Sequence, residues 1–350
     1  MCQKRGRTRL SALCRAVSGT NECAERGTGE VLRRLLRRDP SWSEGSSRPA
    51  LRDIVAGMSS ALPRRRLGST DLFVAPVGLA GSFGIEADAV ERAFHELGVN
   101  YFFVSPRMKG LVEGLRRLIR AGHRDELVIA GGASIPVSFT IKGAWEKLAR
   151  ELEVDRIDVF HLFWVQAHWY VTGNSWPALV RLKEEGKARA LAISCHDRPM
   201  ARQLADELAL DVLMIRYNAA HRGAESEIFA TLPPREPPSA SFSEPEPRTD
   251  LSAEAPRRTA VVAYTATRWG RLLKPAGELD AMTGPECYRF ALGHPAVDVV
   301  LCGARTLDEL RENVEGVQRG PLPEQRLEQI RRFGDAVRST ARGKIGFLGV

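Results

Sequence analysis

Short apolar runs recur along the chain at residues 77–79, 101–104, 127–130, 157–160, 190–193, 212–215, 261–263 and 297–301. Each is a strand-length cluster of Val, Ile, Leu, Ala or aromatic residues bounded by polar positions or glycine. Between most of them, apolar residues return every three or four positions, at 87–97, 111–121, 141–152, 178–185, 200–208 and 307–317. That spacing lines one face of an amphipathic helix. Eight strands alternating with helices predict an all-parallel sheet, and eight is the number that closes a (β/α)8 TIM barrel. An open doubly wound sheet would fit the same alternation, but no G-x-G-x-x-G turn follows the first strand. In a barrel, function sits on the loops beyond the C-terminal ends of the strands. Those loops are expected at 103–110, 131–134, 163–168, 194–196, 216–221, 264–270 and 303–306.

Two stretches break the alternation. Residues 1–57 mix arginine clusters with Ser and Gly and read as a disordered basic arm, with Met58 the expected true start and the arm possibly not translated. Its six acidic residues argue against a transit peptide. Residues 231–258 hold seven prolines. Such a segment buries too little apolar surface to offset its ordering entropy, and it is expected to be a disordered insert between two barrel units. The expected barrel therefore spans 58–345.

Charge changes this picture little. The net charge is +8, of which the arm contributes +6 and the remaining 293 residues only +2. A nucleic-acid partner is not expected, since Trp42 is the arm's one aromatic residue. No apolar run approaches the ~20 residues of a membrane span. The six cysteines are scattered without zinc-site spacing, so no metal is expected and a cytoplasmic setting is. Substrate and oligomeric state are not legible.

The candidate loops carry a resemblance. Residues 65–84 (RRLGSTDLFVAPVGLAGSFG), 98–105 (GVNYFFVS), 186–196 (GKARALAISCH), 216–218 (RYN), 261–273 (VVAYTATRWGRLL) and 303–313 (GARTLDELREN) follow one another in the order and spacing of motifs found in the aldo/keto reductases, which the chain resembles from about Arg64 onward. The resemblance implies a barrel that binds NADP(H) and reduces carbonyls. In that family a tyrosine donates the proton, a lysine lowers its pKa, an aspartate orients the lysine and a histidine holds the carbonyl. Carried over residue by residue, the aspartate falls on Phe103, the tyrosine on Met108, the lysine on Gly132 and the histidine on Phe163. None of these side chains transfers a proton.

The cofactor side is retained more fully. The resemblance implies that Tyr264 stacks on the nicotinamide beside Thr265, and that Ser194 binds the carboxamide. Arg305 would pair with the 2′-phosphate, while Glu312 and Asn313 face the adenine. Cys195 and Arg216 depart from the family's Asn and Gln, and Ala266–Thr267 from its Pro-Leu. Arg216 could hold a carboxylate or phosphate group, or pair with a nearby acid. His161, by strand parity, is expected inside the barrel as a buried, satisfied histidine. Cys195 and His196 are expected on opposite faces of their strand. His221, Lys109 and His161 are the candidate replacement acids. Two functions remain open: an oxidoreductase that has lost the family's proton donor, and a catalytically silent NADPH-binding sensor or interaction protein.

Overall fold

The computed structural model describes residues 62–233 and 257–345, with side chains to Thr340. A hairpin of β1 (Arg65–Arg66) and β2 (Phe73–Val74) precedes the barrel. The barrel strands are β3 (Val77–Ala80), β4 (Tyr101–Phe103), β5 (Val128–Ala133), β6 (Ile157–Val165), β7 (Ala188–Cys195), β8 (Val212–Arg216), β9 (Ala260–Tyr264) and β10 (Val299–Cys302). All pair in parallel with their sequence neighbours, and β10 closes on β3 through Val300 opposite Val77. Every predicted strand is present, and the open-sheet alternative is excluded by this closure. The expected arm lies outside the described residues.

Among the described residues, eight α-helices lie between or after the strands: α1 (Ala87–Leu97), α2 (Lys109–Leu118), α3 (Ser138–Leu152), α4 (Ser175–Glu184), α5 (Arg198–Glu207), α6 (Ala224–Glu227), α7 (Gly284–Gly293) and α8 (Leu307–Gln318). A ninth, α9 (Glu324–Ile345), follows them. In α1 the buried residues Val90, Ala93, Phe94 and Leu97 repeat at helical spacing, and Gly98 at φ 72° ends the helix by donating to the Ala93 carbonyl. The periodicity overlooks α7, although Thr283 and Glu286 form a capping box at its start. It also overlooks α9.

Strand alternation separates two apolar layers. One set of side chains packs under the helices. The other fills the barrel, with small Ala130, Ala190, Ala192 and Ala260 set among Tyr101, Val159 and Met214. Leu67, Leu72 and Val74 of the hairpin join this inner set at the strands' N-terminal end. Phe103, Phe163 and Tyr264 border it as partly buried residues at the other end.

A repeated device locks the N-terminal end. Asn100, Asp158, Asp211 and Asp298 stand at the entrances of β4, β6, β8 and β10. Their side-chain oxygens accept from the backbone N–H groups of Ala75, Ile129, Leu191 and Val261 on or just before the preceding strand, at 2.7–2.9 Å. The carboxylates are also neutralised: Asp158 by Arg124 at 3.0 Å, Asp211 by Lys183 and Arg257 at 2.6 Å, and Asp298 by Arg258 at 2.9 Å. Buried amides and carboxylates are thereby satisfied together.

This device corrects the expected limits of the insert. Thr231 closes a 3-10 turn (Phe229–Thr231), and Arg258 is buried, bonding Asp298 and the carbonyls of Ala296 and Pro233. Both ends of the 231–258 segment belong to the barrel, because Arg258 is the counterion of a buried carboxylate. Residues 234–256 lie outside the described residues.

Candidate functional site

At the C-terminal mouth, β4, β5 and β6 bring three of the four family positions together. The Phe103 and Phe163 rings meet edge to face with centroids 5.5 Å apart. His161 stacks on Phe163 at 5.1 Å and meets Phe103 at 6.1 Å. Gly132 lies beside them. A Cβ built on it would stand 2.1 Å from the His161 carbonyl oxygen, so the backbone here has closed over the space a side chain would need. Met108, the residue before α2, packs partly buried against the outer apolar layer. It lines a cavity of about 590 Å³ with Ser82, Glu86, Ser105, Arg107 and Lys109.

His161 is fully buried, as strand parity predicts, but only half satisfied. Its Nδ1 lies 3.2 Å from the Gly131 carbonyl, while Nε2 has no partner. Burial pulls its pKa down to about 4, so it is neutral at pH 7. Cys195 is buried and donates to the Asp197 carbonyl, and desolvation pushes its pKa up to about 11, so no thiolate forms.

On the opposite side of the mouth, β7, β8 and β9 assemble a polar chain. Asn218 donates to the Thr265 carbonyl at 2.8 Å, and its Oδ1 lies 3.2 Å from His221 Nδ1. Arg216 reaches His221 Nε2 at 3.4 Å through one Nη and His196 Nδ1 at 3.2 Å through the other. The Tyr264 hydroxyl also meets His196 Nδ1, at 2.9 Å. A guanidinium only donates, so the two imidazole nitrogens it faces are acceptors and both rings are neutral. The pKa values agree. Burial first, then Arg216, Arg268, Arg338 and Arg198, bring His221 down to about 4; burial and Arg216 lower His196. Burial raises Tyr264.

Of the alternatives open for Arg216, pairing with a nearby acid is not what the structure shows. No carboxylate lies within ion-pair distance of Arg216 among the described residues, and the exposed Trp269 ring packs against it with 5.7 Å between guanidinium carbon and ring centroid. Trp269 lies on a strained turn: Thr265, Arg268 and Trp269 all have φ near +50°, a region that non-glycine residues rarely occupy. The turn is pinned by Asn218 at Thr265 and by Arg268, which donates to the Val337 carbonyl of α9 at 2.8 Å.

The residues assigned to the cofactor divide into two groups. Ser194, Arg216, Tyr264 and Thr265 converge at the mouth, yet each is already engaged. Ser194 Oγ accepts from the Trp164 N–H at 2.8 Å, and Thr265 Oγ1 donates to the Tyr264 carbonyl. Arg305 and Glu312 are exposed at and beyond the start of α8, and Asn313 is half-buried with its amide 3.6 Å from Cys302 Sγ. His196, Asn218, Arg268 and Trp269 were not singled out as site residues by the sequence. The signal for them is their place in the expected loops 194–196, 216–221 and 264–270, with TRWGR (267–271) dense in basic and aromatic residues.

Among the described residues, every large apolar side chain that stands exposed lies in the last residues of a strand, as Trp164 does in β6, or beyond a strand's C-terminal end, from Phe83 and Phe139 through Trp169 to Trp269 and Leu279. None is at the hairpin end. No three His, Cys, Asp or Glu side chains are grouped to hold a metal ion, and no helix is long and apolar enough to cross a membrane, among the same residues.

Comparison with known proteins agrees with this architecture. The family model of the aldo/keto reductase family matches residues 86–234. The uncharacterized oxidoreductase YqkF of Bacillus subtilis is 22% identical, over 76% of this chain and 95% of that protein. The holo form of aldo-keto reductase AKR11C1 from Bacillus halodurans superposes with a TM-score of 0.60 at 20% identity, covering 79% of this chain and 97% of that one. PA4992 from Pseudomonas aeruginosa, described as an aldo-keto reductase, gives 0.55 at 20% identity over 73% and 94%. Motif order, closed barrel and the family match over residues 86–234 converge on the aldo/keto reductases as the family this chain is similar to.

Proposed function

We propose that this barrel is an oxidoreductase-type NADP(H)-binding protein whose proton-donor machinery has been lost. The observation that carries the reading is the Phe103–Phe163–His161 cluster closed against Gly132. Where the family places an ionisable relay, this chain packs two phenyl rings against a neutral imidazole. An alkoxide forming there would meet no positioned acid. General acid catalysis contributes roughly 10²–10⁴-fold, and stabilisation of a developing oxyanion contributes comparably.

The fit to the nucleotide is divided. At the adenosine end, Arg305 is exposed and has no carboxylate within ion-pair distance among the described residues, which suits a 2′-phosphate. At the nicotinamide end, Ser194 holds Trp164 and Tyr264 is bonded to His196, so the groups expected to receive the ring are engaged within the protein. The residues therefore support binding through the phosphate end.

Of the replacement acids, His161 and His221 are held neutral by burial, which leaves Lys109 beside the cavity next to Met108. The test is a fluorescence titration with NADPH and NADH, followed by turnover of 4-nitrobenzaldehyde and a quinone. NADPH is expected to bind roughly ten- to a hundredfold more tightly than NADH, the difference disappearing in Arg305→Ala. Aldehyde turnover is expected near background. Turnover of roughly 1 s⁻¹ or more would overturn the loss of the donor and direct attention to Lys109.

A further inference from the structure

Four guanidinium groups gather at the β8 and β9 side of the mouth without an acidic counterpart. Arg216, Arg268, Arg271 and Arg338 have no carboxylate within 4.0 Å among the described residues, whereas at the opposite end of the barrel every buried carboxylate has its cation. Arg216 is the one among them that faces accessible imidazoles. His196 is exposed and offers Nδ1, His221 offers Nε2, and Arg216 Nε is itself buried without a hydrogen-bond partner. A guanidinium spending its donors on two neutral imidazoles gains little compared with a bidentate bond to an oxyanion.

Exposed aromatic surface stands beside this charge. Trp269, 63% exposed, covers the guanidinium, and Trp164, 58% exposed, is fixed through its N–H to Ser194, two residues before His196. Both tryptophans are held at positive φ, so the backbone pays strain to present them outward. Exposed aromatic side chains at a mouth mark a place where an apolar body is received, and an uncompensated cation beside them selects that body's head group.

From these two observations we infer that Arg216, with the exposed His196, anchors the carboxylate of an amphipathic ligand whose apolar body lies against Trp269 and Trp164. The ligand class is an apolar carboxylic acid. An inorganic oxyanion would satisfy the guanidinium and leave the tryptophans exposed, and an apolar alcohol would do the reverse. The inference does not require the nucleotide. It uses the nicotinamide end, where the family's own ligand groups are engaged.

The test titrates the full-length protein with octanoate, 1-octanol, acetate and inorganic phosphate, by calorimetry and by tryptophan fluorescence. Octanoate is expected to bind and alter the fluorescence, with each of the other three at least about tenfold weaker. Arg216→Gln should weaken octanoate by roughly ten- to a hundredfold, and Arg216→Lys by less, since a point charge replaces a planar fork. If Arg216→Gln does not fold, Trp269→Leu serves instead and should weaken octanoate several-fold while leaving phosphate unchanged. Equal binding of octanol and octanoate, phosphate binding as tightly as octanoate, an unaltered Arg216→Gln or Trp269→Leu protein, or no binding of any probe would each overturn the inference. A parallel NADPH titration keeps the two readings apart: octanoate binding without NADPH binding sinks only the nucleotide reading, and the converse sinks only this one.

Discussion

The two ends of the barrel treat charge in opposite ways. At the hairpin end, Asp158, Asp211 and Asp298 are each bonded to a backbone N–H and to at least one cation. At the mouth, Arg216 sits between two neutral imidazoles and a tryptophan, and the backbone around it is strained. The first arrangement pairs each buried carboxylate with a cation and a backbone N–H inside the fold and so serves stability. The second leaves donors, charge and aromatic surface unsatisfied by the fold, which is what a binding site requires. Substitutions at the two ends should therefore differ in kind.

The largest effect is expected at the hairpin end. Asp298→Ala would leave Arg258 buried without its carboxylate and remove the acceptor for the Val261 N–H. Breaking a buried pair from one side costs about 3–5 kcal/mol, to be read as a fall in the urea midpoint. A loss below about 1 kcal/mol would remove the contrast between the ends.

Next comes Gly132→Lys, the substitution that would return the family's lysine. Its Cβ would collide with the His161 carbonyl, so the backbone of β5 or β6 must move. Overpacking of this sort costs about 1–3 kcal/mol, and the variant is expected to be destabilised without gaining aldehyde turnover. For the same reason the combined set Phe103→Asp, Met108→Tyr, Gly132→Lys and Phe163→His is expected to stay inactive: residues of the right kind would stand on a backbone that no longer admits them.

His161 adds a pH dependence of comparable or smaller size. Its folded pKa is about 4 against an ordinary value of 6.5. Between these values the unfolded chain binds the proton and the folded one does not, so stability falls as pH drops from 6.5 towards 4 and is not regained below it. At one pKa unit per 1.36 kcal/mol the contribution is about 3 kcal/mol. His161→Leu should flatten the stability profile in that window. An unchanged profile would mean that His161 is not the group responsible.

The smallest effect is expected from Trp269→Leu at the mouth. An exposed ring on a strained turn contributes little to the fold, so stability should shift by less than about 0.5 kcal/mol while ligand binding changes. A large destabilisation would make Trp269 a packing residue and blur the division between the ends.

The barrel was legible because its information is local and periodic. All eight strand segments and the boundaries of α1 follow from runs such as 101–104 and 87–97, since a strand buried on both faces must be apolar throughout and a helix on its surface must be apolar on one side. That Phe103, Gly132 and Phe163 stand towards the ends of their strands was legible too, because strand register fixes which residue ends where. Capped α7 and polar α9 were missed because their evidence is a box of two side chains in one case and weak patterning in the other.

What the sequence by itself determined, then, is the closed alternation of strands and helices. What the tertiary structure alone decided is the company each side chain keeps. No pattern along the chain joins Asp298 to Arg258 across 40 residues, or Tyr264 to His196 across 68. Nor does any pattern reveal that Gly132 is closed by the carbonyl of His161 or that Arg216 lacks an acid. The physical reason is that burial and hydrophobic period are properties of one element at a time. Hydrogen bonds, ion pairs and clashes depend on distances between elements, and those distances exist only once the barrel has closed.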